Sequence, residues 1–268
     1  MIFKMIRVGV IGCGAIGSEI VKYIPNIPSL KASFVCDIDS NRAERLANSV
    51  SPKPKVVDIQ TLILKSDLVV EAASSLCVKE IFPLLIKNKR PALIMSVGGI
   101  DSDMLNLAEK EGIKMCIPSG AIAGLDGLKA GFFGNIKSVL LRTRKPPKGL
   151  IGAPYLIKNK IDISHIKEER VVFSGCAKDA IAGFPQNVNV ASTLSLAGVG
   201  FDRTTVEIVA DPNINKNIHE VFIEGDFGKI TIRCENLPSP SNPKTSYLAI
   251  LSCIATLKGI ASTAKIGT

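Results

Sequence analysis

The sequence predicts an open, doubly wound parallel α/β sheet joined to a smaller α+β domain, and three observations lead there. Arg7 to Ile11 is a β-branched run of the kind a buried parallel strand needs, and it breaks into Gly12-x-Gly14-x-x-Gly17 just before an amphipathic helical pattern. Short apolar runs then alternate with helical segments as far as Pro118. From Ser119 the texture changes, as a glycine-rich crossing leads into segments that resemble antiparallel strands more than further βαβ units.

Taken in order, Ala32 to Asp37 is the second strand, and 41–49 is a helix with Ala43, Leu46 and Ala47 on one side. Residues 51–57 are proline-interrupted and then extended, and 59–63 is a short helix. Asp67 to Ala73 is a buried strand ending in small residues, an end suited to the carboxyl edge of a parallel sheet. Helix 78–87, strand 92–99, helix 101–111 and strand 113–118 complete the first set. In the second set, 137–145, 170–174, 204–210, 219–224 and 229–234 read as strands, with helices at 177–184 and 190–196. A last helix over 245–260 is opened by the cap region Pro243-Lys244-Thr245-Ser246. The division expected is therefore 1–119 plus a C-terminal helical segment 244–268 packing back on it, and 120–243 as the second domain.

At 268 residues and 46% hydrophobic composition the chain has ample material for a core. Lys and Arg recur too often for any stretch to reach the roughly 20 apolar residues of a membrane span. Met1 to Met5 is too short for a signal peptide, so a cytoplasmic protein is expected. Seven cysteines form no CxxC pair and leave an odd count, which argues for free thiols and against a zinc site. The net charge is +9, yet the lysines are dispersed and aromatics are only 5%, so nucleic acid is not the expected partner. Anionic small molecules, or solubility alone, account for the basic character.

The glycine pattern gains meaning from its context. Gly12 makes a tight turn, Gly14 lets backbone approach a pyrophosphate, Gly17 lets helix pack on strand, and the helix start at Ala15 and Ile16 offers N–H groups to phosphate. Asp37 lies 20 residues beyond Gly17 at the end of the second strand, where an acid binds the adenosine ribose hydroxyls. This is a Rossmann-type site for NAD or NADP. Asp37 leans toward NAD, while Asn41 and Arg42 are placed to hold a 2′-phosphate; the competing reading is a glycine turn with an incidental aspartate. Cys13, inside the turn, reads as a small filler.

Two histidines are present. His165 sits in a charged segment and reads as surface. His219 closes a polar run at a loop-to-strand junction in the second domain, where a substrate domain presents an acid/base.

At several uncommon stretches the chain resembles the L-aspartate dehydrogenases. They are Pro118 to Asp126, Lys145-Pro146-Pro147-Lys148, Phe184-Pro185-Gln186-Asn187-Val188-Asn189-Val190-Ala191, Val209 to Pro212 with Asn217-Ile218-His219, and Asn236 to Ser246; with the glycine turn they span nearly the whole chain. The resemblance implies NAD(P)-dependent oxidative deamination of L-aspartate to iminoaspartate, which hydrolyses to oxaloacetate and ammonia; iminoaspartate would supply NAD biosynthesis through quinolinate synthase. It places the active-site role on His219 and cofactor contacts on Ala123 and Asn189, and it implies a homodimer joined through the second domain. Asn187 is added on the residues themselves, as a side chain able to hydrogen-bond the nicotinamide or its ribose, and with Asn189 it competes with a plain turn before a helix.

A histidine titrating near neutrality can take a proton from water and return it to a leaving amine, and no metal is required. Lys244, Thr245 and Ser246 at a helix start are candidates for a substrate carboxylate, against an ordinary cap. Asp126 reads as an early-helix acid. The rival readings are another two-domain imine or 2-oxo-acid reductase of the dihydrodipicolinate reductase kind, and a non-catalytic NAD sensor.

Overall fold

The structure is a computed structural model that describes residues 5–185, 189–240, 242–264 and 266–267, without the side chains of 243 and 244. The chain divides into two compact units, Met1–Pro118 with Ile250–Ile266, and Ser119–Ala249 with Gly267–Thr268.

In the first unit the elements run β1 (Ile6–Ile11), α1 (Ala15–Tyr23), β2 (Leu30–Cys36), α2 (Ser40–Asn48), β3 (Lys55–Val56), α3 (Ile59–Lys65), β4 (Leu68–Glu71), α4 (Ser75–Lys87), β5 (Ala92–Ile94), α5 (Ser102–Lys110) and β6 (Met115–Cys116). Among the described residues the sheet order is β3-β2-β1-β4-β5-β6, every pair parallel. Strand order therefore reverses between β1 and β4, the crevice where such sheets take ligands. Val8 and Val10 of β1, Val69 and Val70 of β4 and Leu93 of β5 are fully buried, as strands covered on both faces require. Side chains cap the helices that follow: Asp39, Asp58, Ser74 and Asp101 each accept from a backbone N–H in the first turn. The strand expected over 92–99 stops at Ile94, because Val97–Gly99 turns as a short 3₁₀ helix.

The second unit runs α6 (Leu125–Phe132), β7 (Ile136–Lys145), α7 (Pro154–Lys158), β8 (Arg170–Cys176), α8 (Ala177–Gly183), α9 (Asn189–Ala197), β9 (Thr204–Ala210), β10 (Asn217–Gly225), β11 (Gly228–Asn236), β12 (Pro238–Ser239) and β13 (Asn242–Ser246). Its main sheet has the order β11-β10-β7-β9-β8. The sheet is mixed rather than antiparallel throughout, since β7 and β9 pair in parallel across a connection that contains α7, β8, α8 and α9. One face packs Val139, Leu141, Val206, Ile208, Val221 and Ile223 against the helices, with Tyr155, Phe173 and Phe184 ring against ring at 5.0–5.7 Å. The other face carries ion pairs: Arg142 with Glu207, and Arg144 and Arg233 with Glu220.

The last helix, α10, spans Tyr247–Ala261, and its Cys253 and Leu257 join the core of the first unit. Thr245 and Ser246 are thus not its first turn. They end β13, which pairs with β12, and the Tyr247 N–H donates to Leu237 O at 3.0 Å. Hairpin pairing takes precedence there over the helix signal.

Candidate active site

The glycine turn between β1 and α1 is shaped by backbone contacts that leave no space for a side chain at Gly12 or Gly17. Gly12 has φ +94°, and a Cβ on it would lie 2.6 Å from Ala72 O; a Cβ on Gly17 would lie 1.8 Å from Gly12 O. At Gly14 the opposite holds, because a Cβ there would meet nothing within 4 Å. Open space at Gly14 beside the first turn of α1 is the cradle a pyrophosphate needs. The N–H groups of Ala15, Ile16 and Gly17 have no carbonyl within the helix to bond to, and the first helical bond runs from Ser18 N to Gly14 O at 2.9 Å. The residues present therefore fit a dinucleotide.

Asp37 ties this turn to the end of β2. One carboxylate oxygen accepts from Cys13 N at 2.7 Å and the other from Asp39 N at 2.9 Å, with Arg42 Nη1 at 3.7 Å. Each oxygen keeps a second lone pair for a ribose hydroxyl. Burial, with the Asp37 charge adding to it, pushes the Cys13 thiol up to about 12, so it fills space and is no nucleophile.

An acid that the sequence reading passed over stands at the end of β4. Glu71 is fully buried; Oε1 accepts from Ala73 N at 2.7 Å, Ser74 N at 2.9 Å and Ser96 Oγ at 2.9 Å, and Oε2 from Ser96 N at 3.0 Å. Burial raises its pKa against the pull of those hydrogen bonds. Glu71 thereby fixes the loop after β4, whose Ala72 carbonyl is the wall behind Gly12.

In the second unit His219 sits in β10, 4% exposed, paired with Thr143 on one side and Cys234 on the other. Its Nδ1 lies 3.1 Å from Thr143 Oγ1. Burial, reinforced by the Lys145 charge, pushes it down to about 3. The histidine is therefore neutral over the physiological range, unlike the near-neutral titration its residue type suggests. Lys145, the last residue of β7, is held down to about 8 by burial. A cavity of about 10 Å³, room for one water at most, adjoins Thr143.

The other expected residues are placed as follows. Ala123 is exposed in the crossing before α6, next to Gly124 at φ +75°, and Asn236 Nδ2 holds that crossing through Ala121 O at 2.9 Å. Asn189 opens α9, Asn187 lies outside the described residues, and Lys244, Thr245 and Ser246 belong to β13. His165 is exposed, and Asp126 is in the first turn of α6. Sequence reasoning assigned no role to Thr143 or Lys145, although strand alternation puts both on one face and Lys145 heads the Lys-Pro-Pro-Lys stretch.

A nucleotide turn at the switch point of a parallel sheet, followed by a mixed-sheet unit bearing a buried imidazole and a half-buried lysine, defines a two-domain nicotinamide-dependent oxidoreductase. Residues 126–260 match the aspartate dehydrogenase C-terminal domain, and residues 12–118 match the NAD-binding domain of homoserine dehydrogenase. The L-aspartate dehydrogenase of Methanosarcina mazei is 45% identical over 272 residues, covering 98% of this chain and 100% of that protein. That of Nitrosopumilus maritimus is 41% identical over 266 residues, 95% of this chain and 96% of its own length. The crystal structure of aspartate dehydrogenase from Thermotoga maritima superposes with a TM-score of 0.77 at 30% identity, covering 98% and 99% of the two chains. The chain belongs to the aspartate dehydrogenase family.

Proposed function

We propose that this protein oxidises L-aspartate at Cα with NAD or NADP, giving iminoaspartate that water converts to oxaloacetate and ammonia. The observation that carries the reading is the end-to-end match to L-aspartate dehydrogenases. A nicotinamide held there would supply the hydride acceptor, and everything else falls to the chain. Gly12, Gly14 and Gly17, with the N–H groups of Ala15 and Ile16, hold the pyrophosphate, and Asp37 holds the ribose. Ala123, Asn187 and Asn189 serve the remainder of the cofactor. Lys244, Thr245 and Ser246 take a substrate carboxylate.

The active-site role falls to His219, as a neutral imidazole. With Nδ1 engaged by Thr143, Nε2 is the nitrogen left to orient substrate or the water that adds to the imine. The ion-paired face of the second sheet supports a homodimer of this unit, because alternating Arg and Glu can meet the same array on a second copy. Among the described residues no helix is long and apolar enough to cross a membrane. A cytoplasmic enzyme handing iminoaspartate to quinolinate synthase is the cellular setting we propose.

The test is reduced-nicotinamide absorbance with L-aspartate, L-homoserine, L-glutamate and D-aspartate in turn, using NAD and NADP separately. Turnover with L-aspartate far above the others is expected. Activity with another of these substrates and none with L-aspartate would overturn the proposal.

A further inference from the structure

We propose that Lys145 is the base that removes a proton from the α-ammonium group of the substrate, while His219 beside it stays neutral. The inference rests on the aspartate reading and assigns the step that reading leaves open. Hydride can leave Cα only when the neighbouring nitrogen has a lone pair to form C=N, and an ammonium group has none. One N–H bond must break first, its electrons remaining on the substrate nitrogen and its proton passing to a base. Hydride departure, for which NAD or NADP would be the acceptor, then gives the iminium ion.

Geometry selects the base. Thr143 is the β7 partner of His219 on β10, so Lys145, two residues on and on the same face, stands diagonally from the imidazole. It is the last residue of its strand, only partly exposed, where the covered sheet face gives way to the Pro146-Pro147 turn. Arg144 points to the opposite face, where it pairs with Glu220 and Glu169. On the β9 side, Asp211 donates its N–H to Lys145 O and accepts from Asn213 N. His219 is the titratable group of β10 on the Lys145 face, and the lysine charge weighs against its protonation.

The two groups therefore divide the work. An imidazole that burial and a nearby cation keep unprotonated makes a poor proton store, whereas a lysine amine in a desolvated setting accepts a proton at mildly alkaline pH and returns it to water. In the balanced step, Lys145 Nζ goes from amine to ammonium as the substrate goes from ammonium to amine.

The experiment compares wild type, Lys145→Arg and Lys145→Ala with saturating NAD between about pH 7 and pH 10. Calorimetric NAD affinity serves as the check on folding. Arginine keeps the charge and does not deprotonate, so kcat is expected to fall about 100-fold or more while the aspartate KM moves less than about threefold. The alkaline rise in the wild-type profile is expected to vanish with it. Added ethylamine is expected to restore Lys145→Ala in proportion to its free-base concentration. A Lys145→Arg enzyme within about threefold of wild-type kcat, or a loss confined to KM, would overturn the role and leave the lysine as a carboxylate anchor. An inactive wild type would instead overturn the aspartate reading, and this inference with it.

Discussion

A buried imidazole needs both nitrogens accounted for, and at His219 one of them is taken by Thr143 Oγ1 at 3.1 Å. Thr143→Val keeps the shape and deletes the partner. The orphaned nitrogen is expected to cost about 1–3 kcal/mol of stability. Because the ring can then turn and change tautomer, kcat for aspartate should fall about tenfold. Thermal melts together with steady-state kinetics check this, and an unchanged kcat would remove Thr143 from the positioning of His219. The place of the histidine near the start of a strand, after a polar run, was legible in the sequence. Its ionisation was not, because the burial that keeps it neutral comes from strand pairing with Thr143 and Cys234, at positions distant in the chain. Lys145 was named in the sequence only as part of the Lys-Pro-Pro-Lys stretch and given no role for the same reason: its covering depends on β7 lying beside β10.

At the scale of elements, the strand–turn–helix around Gly12 was readable because its determinants are local. The Glu71 anchor was not, since two of its four donors come from Ser96, beyond α4 and β5. Glu71→Ala would leave all four donors without an acceptor and should destabilise the first unit by about 3 kcal/mol or more. The same change frees the loop behind Gly12, so the NAD dissociation constant should rise about tenfold or more. Glu71→Gln keeps one oxygen for three donors and sets an N–H against Ser96 N, so its losses should be smaller. Calorimetry on the two variants decides, and equal NAD affinity in wild type and Glu71→Ala would contradict the anchoring role. The Thr245–Ser246 boundary shows the reverse error, in which a good helix cap in sequence is held by a hairpin that only pairing with β12 explains.

For the whole molecule, the parallel first sheet and the change of texture at Ser119 were visible in element order, whereas the parallel β7–β9 pair was hidden by the long connection between them. Folding also couples to pH through His219. Its pKa falls from an ordinary 6.5 to about 3 in the folded state, so between those values the unfolded chain binds more protons. The contribution is fully present above about pH 6.5 and is lost as pH falls toward 3, at up to about 1.4 kcal/mol per pH unit. Chemical denaturation across that window should give a shallower pH slope for His219→Gln than for wild type; identical slopes would mean that the imidazole protonates freely in the fold. The most direct test of the account is aspartate-dependent nicotinamide reduction by wild type and His219→Ala, with cofactor binding followed calorimetrically on both. The account predicts robust turnover in wild type and its collapse in the variant while NAD binding survives. A wild type that binds NAD yet never turns over aspartate, or a variant as active as wild type, would contradict it.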